Sequence, residues 1–259
     1  MKGNYFNVKI KPDIVDGDIS KLIADDKTDT PFTSGDILFD WQAIDVPKGT
    51  VSLESITVYM VGEDGGTQTL KDIHFLFAKT VNGTAPTTLG EENAAQTACF
   101  ELPLHVIGAA KIEGSAAGAG NLIGPAFGTV FHGVPGGANG VKLPCIMTPE
   151  PDSGTNVGYD KIYVAAFAQG AFDFSTGVLS TGAISADDNT TIEVDGVDAR
   201  KAFQKDDICY VHDVDTALGK VSSVTSGVIT LTTNNVVAVA NNDEIINATP
   251  ITCILGFMQ

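Results

Sequence analysis

Positive charge is scarce in this chain. Its 259 residues carry 15 Lys and Arg against 32 Asp and Glu, a formal net charge of -17, and Arg200 is the sole arginine. Nucleic-acid affinity comes largely from Lys and Arg displacing counterions from phosphates, so direct binding to DNA or RNA is not expected. An excess of carboxylates serves solubility, with a saline habitat as a further inference. Long hydrophobic runs are missing too: no stretch approaches the roughly 18 apolar residues of a membrane span. The start, MKGNYFNVKIKPDIVDGD, has no apolar signal core, so synthesis is expected in a reducing cytosol without a Sec-type address. Cys99, Cys145, Cys209 and Cys253 are far apart, with no C-x-x-C pair and no His at metal-ligand spacing. Each sits in an apolar, strand-like context, which predicts buried thiols instead of a disulfide framework. Helical periodicity is thin, confined to Asp18 to Asp26 and Leu89 to Cys99, each little more than two turns.

Strand signal, by contrast, is abundant. Asp36 to Asp45 sets Ile37, Phe39 and Trp41 against Asp36, Leu38 and Asp40; Ser55 to Val61 sets Ile56, Val58 and Met60 against Thr57 and Tyr59. Asp72 to Lys79 sets Ile73, Phe75 and Phe77 against His74 and Lys79. Period-2 alternation places one face on a core and the other toward water. VPKGT (46–50) and GEDGG (62–66) punctuate these runs as turns, the second as a hairpin loop. Two packed antiparallel sheets satisfy such strands, so the predicted class is all-β, an antiparallel, jelly-roll-like β-sandwich.

From Ile107 to Gly140 the composition changes: ten of these 34 positions are Gly, and no element is assigned. Such a stretch is either an arm reaching a neighbouring subunit or a set of tight turns on its own sheet. Strand signal returns at Val141 to Met147 and at Lys161 to Phe167, continuing to Phe174. Between Asp187 and Pro250, short apolar stretches recur at roughly 8- to 12-residue spacing. They run Thr191 to Val194, Ile208 to Val211, Lys220 to Val224, Gly227 to Thr232, Val236 to Val239 and Glu244 to Ile246. Asp, Asn, Gly and Ser clusters separate them, which predicts a second, small β-barrel module. The final run, Ile251 to Phe257, is continuously apolar like KIYVAAF and is expected to be buried on both faces. The predicted organisation is therefore a β-sandwich of residues 1–178 plus 251–259, with the barrel of residues 179–250 inserted. In the alternative, the last run closes the barrel.

The chemistry is mostly negative. His74, His105, His132 and His212 are dispersed, and no G-x-S-x-G, H-E-x-x-H or P-loop pattern occurs. GAGNLIG, with Gly118, Gly120 and Gly124, has one residue too many for a dinucleotide motif and reads as a flexible loop. Carboxylates cluster at Asp25, Asp26 and Asp29, at Asp195 and Asp198, and at Asp213 and Asp215. Oxygen ligands at such spacings could hold Ca²⁺, but none has the EF-hand register, and solvated turns are expected. Sequons at Asn82, Asn189 and Asn247 carry little weight without a secretory signal. No catalytic, cofactor-binding or metal residue is nominated, and the chain is expected to be no enzyme.

Three distal stretches read TIEVDGVDARKAFQKDDICYVHD, LGKVSSVTSGVITLTTN and DEIINATPI. Together they resemble the small β-modules of structural proteins of tailed bacteriophages, where an I-x-V strand precedes F-x-x-G-D-x-[IV] and a G-x-V-x-S-V…I-T-L hairpin. Phe203, Asp207 and Ile208 match the first pattern, while Asp206 stands where Gly is usual; Gly219, Val221, Ser223, Val224, Ile229 and Leu231 match the hairpin. The resemblance covers a quarter of the chain, and AIDVPKGTVSLESITV upstream fits only in general style.

That resemblance implies a non-enzymatic virion component, in the first place a capsid decoration or cement protein. The acidic surface favours the outside of a shell, away from packaged nucleic acid. The implied partners are the major capsid protein or other virion proteins, and further copies of the chain, a trimer being preferred. No membrane partner is implied. A tail or head-fibre subunit is the close rival. A carbohydrate- or receptor-binding module would need exposed aromatics in a concave site, and Trp41 with five Tyr offers few. An unfamiliar hydrolase would declare itself in an activity screen.

Overall fold

Alternation carries the strands to opposite sides of one apolar core. The computed structural model describes residues 4–23, 30–47, 50–61, 71–81, 83–97, 101–112, 114, 129–133, 143–146, 161–175, 177–212 and 214–259, with side chains outside 129–133 and 143–146. The first strands are β1 (Tyr5–Ile10), β2 (Ile37–Asp45), β3 (Thr50–Met60), β4 (Asp72–Ala78), β5 (Val106–Ile112), β6 (Thr129–Gly133), β7 (Leu143–Ile146) and β8 (Lys161–Gln169). After them come β9 (Val178–Ser180), β10 (Thr191–Asp195), β11 (Ile208–Val211), β12 (Ala217–Val224), β13 (Val228–Leu231), β14 (Glu244–Asn247) and β15 (Ile251–Met258).

One sheet runs β1-β15-β3, with β6 and β7 sharing the far flank of β3; the facing sheet runs β2-β8-β4-β5. All the pairings are antiparallel. Ile56, Val58 and Met60 of β3 meet Ile73, Phe75 and Phe77 of β4 in one core cluster, together with Val164, Leu255 and Phe257. Each such fully buried side chain stabilises by roughly 1.5–3 kcal/mol. β8 is an inner strand of its sheet, and Leu89 covers Ala165 on its outer face, which is why KIYVAAF is apolar on both faces.

Several expectations are corrected. The GEDGG hairpin does not form: β3 pairs with β15, β6 and β7, whereas β4 pairs with β5 and β8. Each strand has its own apolar face, and burying the two faces against each other requires the strands to lie in different sheets. Residues 62–66 themselves lie outside the described residues. Trp41 does not join Phe39 in the main core. The register of β2 shifts between Ile37, Phe39 and Gln42, so Leu38 and Phe39 both turn inward while Trp41 packs with Ile37, Leu89 and Ala165.

Asp18 to Asp26 yields only a 3-10 turn at Ile19–Lys21 among the described residues, capped by Asp18, which accepts from Ser20 N at 3.0 Å. Within Leu89 to Cys99, the described residues to 97 form no helix. Asn93 sits at φ 54, and its side-chain amide donates to the carbonyls of Lys21 and Thr30, contacts a helix would forgo. Among the described residues two one-turn helices occur instead, α1 (Leu102–His105) and α2 (Ala199–Ala202), both too short for periodicity to reveal. In the unassigned Gly-rich stretch, β5 and β6 occupy residues to 112 and 129–133; 113, 115–128 and 134–140 lie outside the described residues.

The second unit is a closed barrel, β10-β13-β12-β11-β14-β9. Ile192, Phe203, Cys209, Leu218, Val221, Ile229 and Ile245 fill it. The strand expected at Val236 to Val239 is instead held by a single bridge, Ile184 to Val239, because buried Asn235 turns the chain by donating to the carbonyls of Ser185 and Val237. The closing strand is β9, three residues long and invisible to pattern. The final strand β15 lies in the sandwich, between β1 and β3. The units are not beads on a string, for Tyr210, Ile246 and Ala248 of the barrel segment belong to the sandwich core cluster.

Closure of the barrel depends on Gly177. A Cβ there would stand 1.9 Å from the Ile245 carbonyl oxygen, while its N–H donates to the Glu244 carboxylate at 2.8 Å. Gly177→Ala should destabilise the protein by about 2 kcal/mol or more, read by urea unfolding, because rigid backbone and not a flexible side chain opposes the methyl.

Candidate functional site

Two places concentrate polar chemistry: an open groove on the sandwich and the joint between sandwich and barrel. The groove lies on the outer face of the β2-β8-β4-β5 sheet. Strand register aligns Phe167, His74 and Lys111 in one row across β8, β4 and β5, and Ala165, Leu76 and Ala109 in the next. Over β2 and β8 this face is covered by Leu89 and Leu102, with the Trp41 indole donating to the Thr87 carbonyl at 2.9 Å. Over β4 and β5 it stays open as a groove of about 420 Å³ lined by His74, Leu76, Ala109, Lys111, Phe167 and Gln169, among others. Lys111 pairs with Asp72 at 2.7 Å. Burial, and then the Lys111 ammonium, hold the His74 imidazole below its ordinary pKa, with Asp72 opposing. A neutral imidazole over an apolar floor suits contact with apolar side chains, and no Ser, Thr or Cys stands beside it among the described lining residues.

The remaining histidines are not brought together. His105 is buried with Nδ1 2.9 Å from the Lys79 carbonyl, and His212 lies 3.8 Å from Glu244. His132 falls on β6, where side chains are outside the described set. Of the carboxylates, Asp198 caps α2 and accepts from Arg200, which holds its carboxyl down to about 2. Asp215 accepts from Ile19 N at 3.2 Å, and Asp195 ends β10. Asp25, Asp26, Asp29 and Asp213, the GAGNLIG segment, Asn82 and Cys99 lie outside the described residues, as does the Cys145 side chain. Asn189 caps its own turn by accepting from Thr191 N at 3.1 Å. Among the described residues, no group of three or more His, Cys, Asp or Glu side chains is placed to hold a metal ion. Cys209 and Cys253 are free and buried; burial pushes the Cys209 thiol up to about 12 and raises that of Cys253 as well.

The joint is built by the F-x-x-D-D-I segment. Phe203 anchors it in the barrel core. Asp206, at the position where Gly is usual, adopts φ 73, the left-handed conformation that Gly takes without strain. Asp206→Gly should therefore raise the thermal midpoint by a few degrees, since the exposed pair it forfeits with Lys220 contributes little. Asp207 is 1% exposed. Its carboxylate accepts from Gln204 N, from the Asn247 amide at 3.0 Å and from the Thr249 hydroxyl at 3.1 Å, and it pairs with the Lys11 ammonium. Burial pushes the Asp207 carboxyl above its ordinary pKa, with Lys11 opposing.

Sequence reasoning found Asp207 through its motif but missed Lys11, Asn247 and Thr249. The N-x-T spacing of the last two was visible only as a sequon. It is instead a buried turn, in which Asn247 Oδ1 accepts from Thr249 N at 2.9 Å. Nothing local marks Lys11, which reaches Asp207 from the far end of the chain. Compared with protein-family models, with curated proteins and with solved structures, this chain matches none of them.

Proposed function

We propose that this chain is a non-enzymatic structural protein of a tailed-phage virion, a capsid decoration or cement protein on the outer shell. The observation that carries the reading is the distal barrel. The residues of the phage-module resemblance serve as its core and its joint: Phe203, Val221, Ile229 and Leu231 pack inside, and Asp207 ties it to the sandwich. Its interior is filled, and its exposed positions include Asp187, Asp188, Glu193 and Asp195. Such a unit displays a surface. The open groove, with its apolar floor, offers the complementary feature, a place for side chains of a neighbouring subunit. Trp41, the sole tryptophan, donates its indole N–H to the Thr87 carbonyl and packs on Ile37, Leu89 and Ala165, which weighs against a carbohydrate site built on it.

The proposed partners are the major capsid protein and further copies of the chain, a trimer preferred, because closed symmetric oligomers match a symmetric lattice. No helix among the described residues is long and apolar enough to cross a membrane. An acidic protein bound to basic capsid patches is held partly by rim charges, and weak contacts repeated over the lattice add through multivalency. Co-sedimentation with shells of the encoding virus should therefore be strong at low salt and fall steadily as ionic strength rises. Absence of co-sedimentation at any salt would remove the shell role, and binding to isolated tails alone would favour the fibre subunit.

A further inference from the structure

The joint assembles the parts of an acyl-transfer site. Lys11 follows β1 on the sandwich, and Asn247 ends β14 of the barrel. One carboxylate, Asp207, holds both: Oδ1 pairs with the Lys11 amine and Oδ2 accepts from the Asn247 amide nitrogen at 3.0 Å. The side chains are 13% exposed at Lys11, 1% at Asp207 and 7% at Asn247, so water is largely excluded. The Asn247 carbonyl oxygen accepts from Thr249 N at 2.9 Å, and the Thr249 hydroxyl stands 3.3 Å from the same oxygen. The Thr249 N–H sits where negative charge develops when an amide carbonyl is attacked, and the one hydroxyl proton, given to Asp207 in the resting state, is in reach of the same oxygen. Two further bonds fix the reacting groups: Lys11 Nζ donates to the Lys205 carbonyl at 3.2 Å and Asn247 Nδ2 to the Ala202 carbonyl at 2.8 Å.

We propose that Lys11 and Asn247 become joined by an isopeptide bond, with Asp207 carrying the proton between them. The Lys11 ammonium first gives a proton to Asp207, leaving a neutral amine able to act as nucleophile. Nζ attacks Asn247 Cγ, and the oxygen charge is met by Thr249. Asp207 returns the proton to Nδ2, the Cγ–Nδ2 bond breaks and ammonia leaves, while Asp207 takes up the second proton that Nζ sheds and ends protonated. The product is a secondary amide between Nζ and Cγ, formed with no oxidant, reductant or co-reactant. Burial favours the proton-bearing form of Asp207 and so assists the first transfer. Holding the groups together in the folded state replaces a bimolecular encounter, which is what makes an unactivated amide reactive. The bond would lock the N-terminal edge strand to the barrel and close a covalent loop around nearly the whole chain.

The experiment is intact-mass measurement of the full-length folded protein after incubation at neutral pH, followed by denaturation and peptide mapping. The expected chain is lighter than its sequence mass by one molecule of ammonia, with the Lys11 and Asn247 peptides recovered as one branched species. Lys11→Arg keeps a cation opposite Asp207 but lacks the amine; its chain, folded by circular dichroism, should have the full sequence mass. An ion pair alone leaves the mass unchanged, so a wild-type chain at sequence mass with both peptides linear overturns the proposal. Ammonia loss mapped to any other residue overturns it equally.

Discussion

Deleting Ile251–Gln259 should leave no cooperatively folded protein. β15 is the middle strand of its sheet, pairing with β1 along Tyr5 to Ile10 and with β3 along Ser52 to Met60. Without it, the facing backbone groups of both neighbours lose their partners. The core loses the fully buried Ile251, Cys253, Leu255 and Phe257, the last stacked on Phe6 at 5.5 Å. Three of those side chains are large, at roughly 1.5–3 kcal/mol each. With the lost pairing, their removal is comparable to the roughly 5–15 kcal/mol by which a typical domain is stable, so about all of the net stability goes. Thermal melting followed by circular dichroism is the check. A soluble truncation at Pro250 with a sharp transition would show that β15 is dispensable, contrary to its place in the sheet.

Asp207→Ala should cost about 3–5 kcal/mol, the usual loss when one partner of a buried ion pair is removed. The effect is large because one carboxylate serves four donors on three segments: Lys11, Gln204, Asn247 and Thr249. Its absence leaves an ammonium and three neutral donors without their acceptor, at the place where barrel and sandwich meet. Asp207→Asn, which retains one acceptor oxygen, should lose less. Denaturant unfolding of both variants measures the difference. Equal stability of Asp207→Ala and the parent chain would mean that the joint is held by the shared apolar contacts of Tyr210, Ile246 and Ala248 alone.

The class of the fold was legible because period-2 alternation is a local signal that burial enforces directly. β4 shows it without reference to anything distant, as does β3 over its second half. What alternation cannot express is which sheet a strand joins. β3 and β4 each have one buried face, and that property is the same whether the two pair side by side or meet across a core. Trp41 misled because the register shifts of β2 move a side chain to the other face without changing the sequence pattern. β9 was missed because three residues contain too little periodicity to count, and Asn93 because its hydrogen bonds are to carbonyls 63 and 72 residues away.

The joint was half legible for a similar reason. The motif marked Asp207 and Ile208, and the odd Asp206 marked a backbone conformation that turned out to be the one Gly would take. Lys11 was invisible and Asn247 was seen only as a sequon, since only tertiary structure brings residues so far apart to one carboxylate.

The outer-shell role is tested most directly by imaging. Purified protein is added to tailed-phage shells that lack it, and the particles are reconstructed at a resolution that separates subunits. The expected result is density at symmetry-related lattice positions, with the sandwich at the base, the acidic barrel projecting outward and the decorated particles more resistant to heat. A bare lattice at saturating protein, or density confined to the tail, would contradict it.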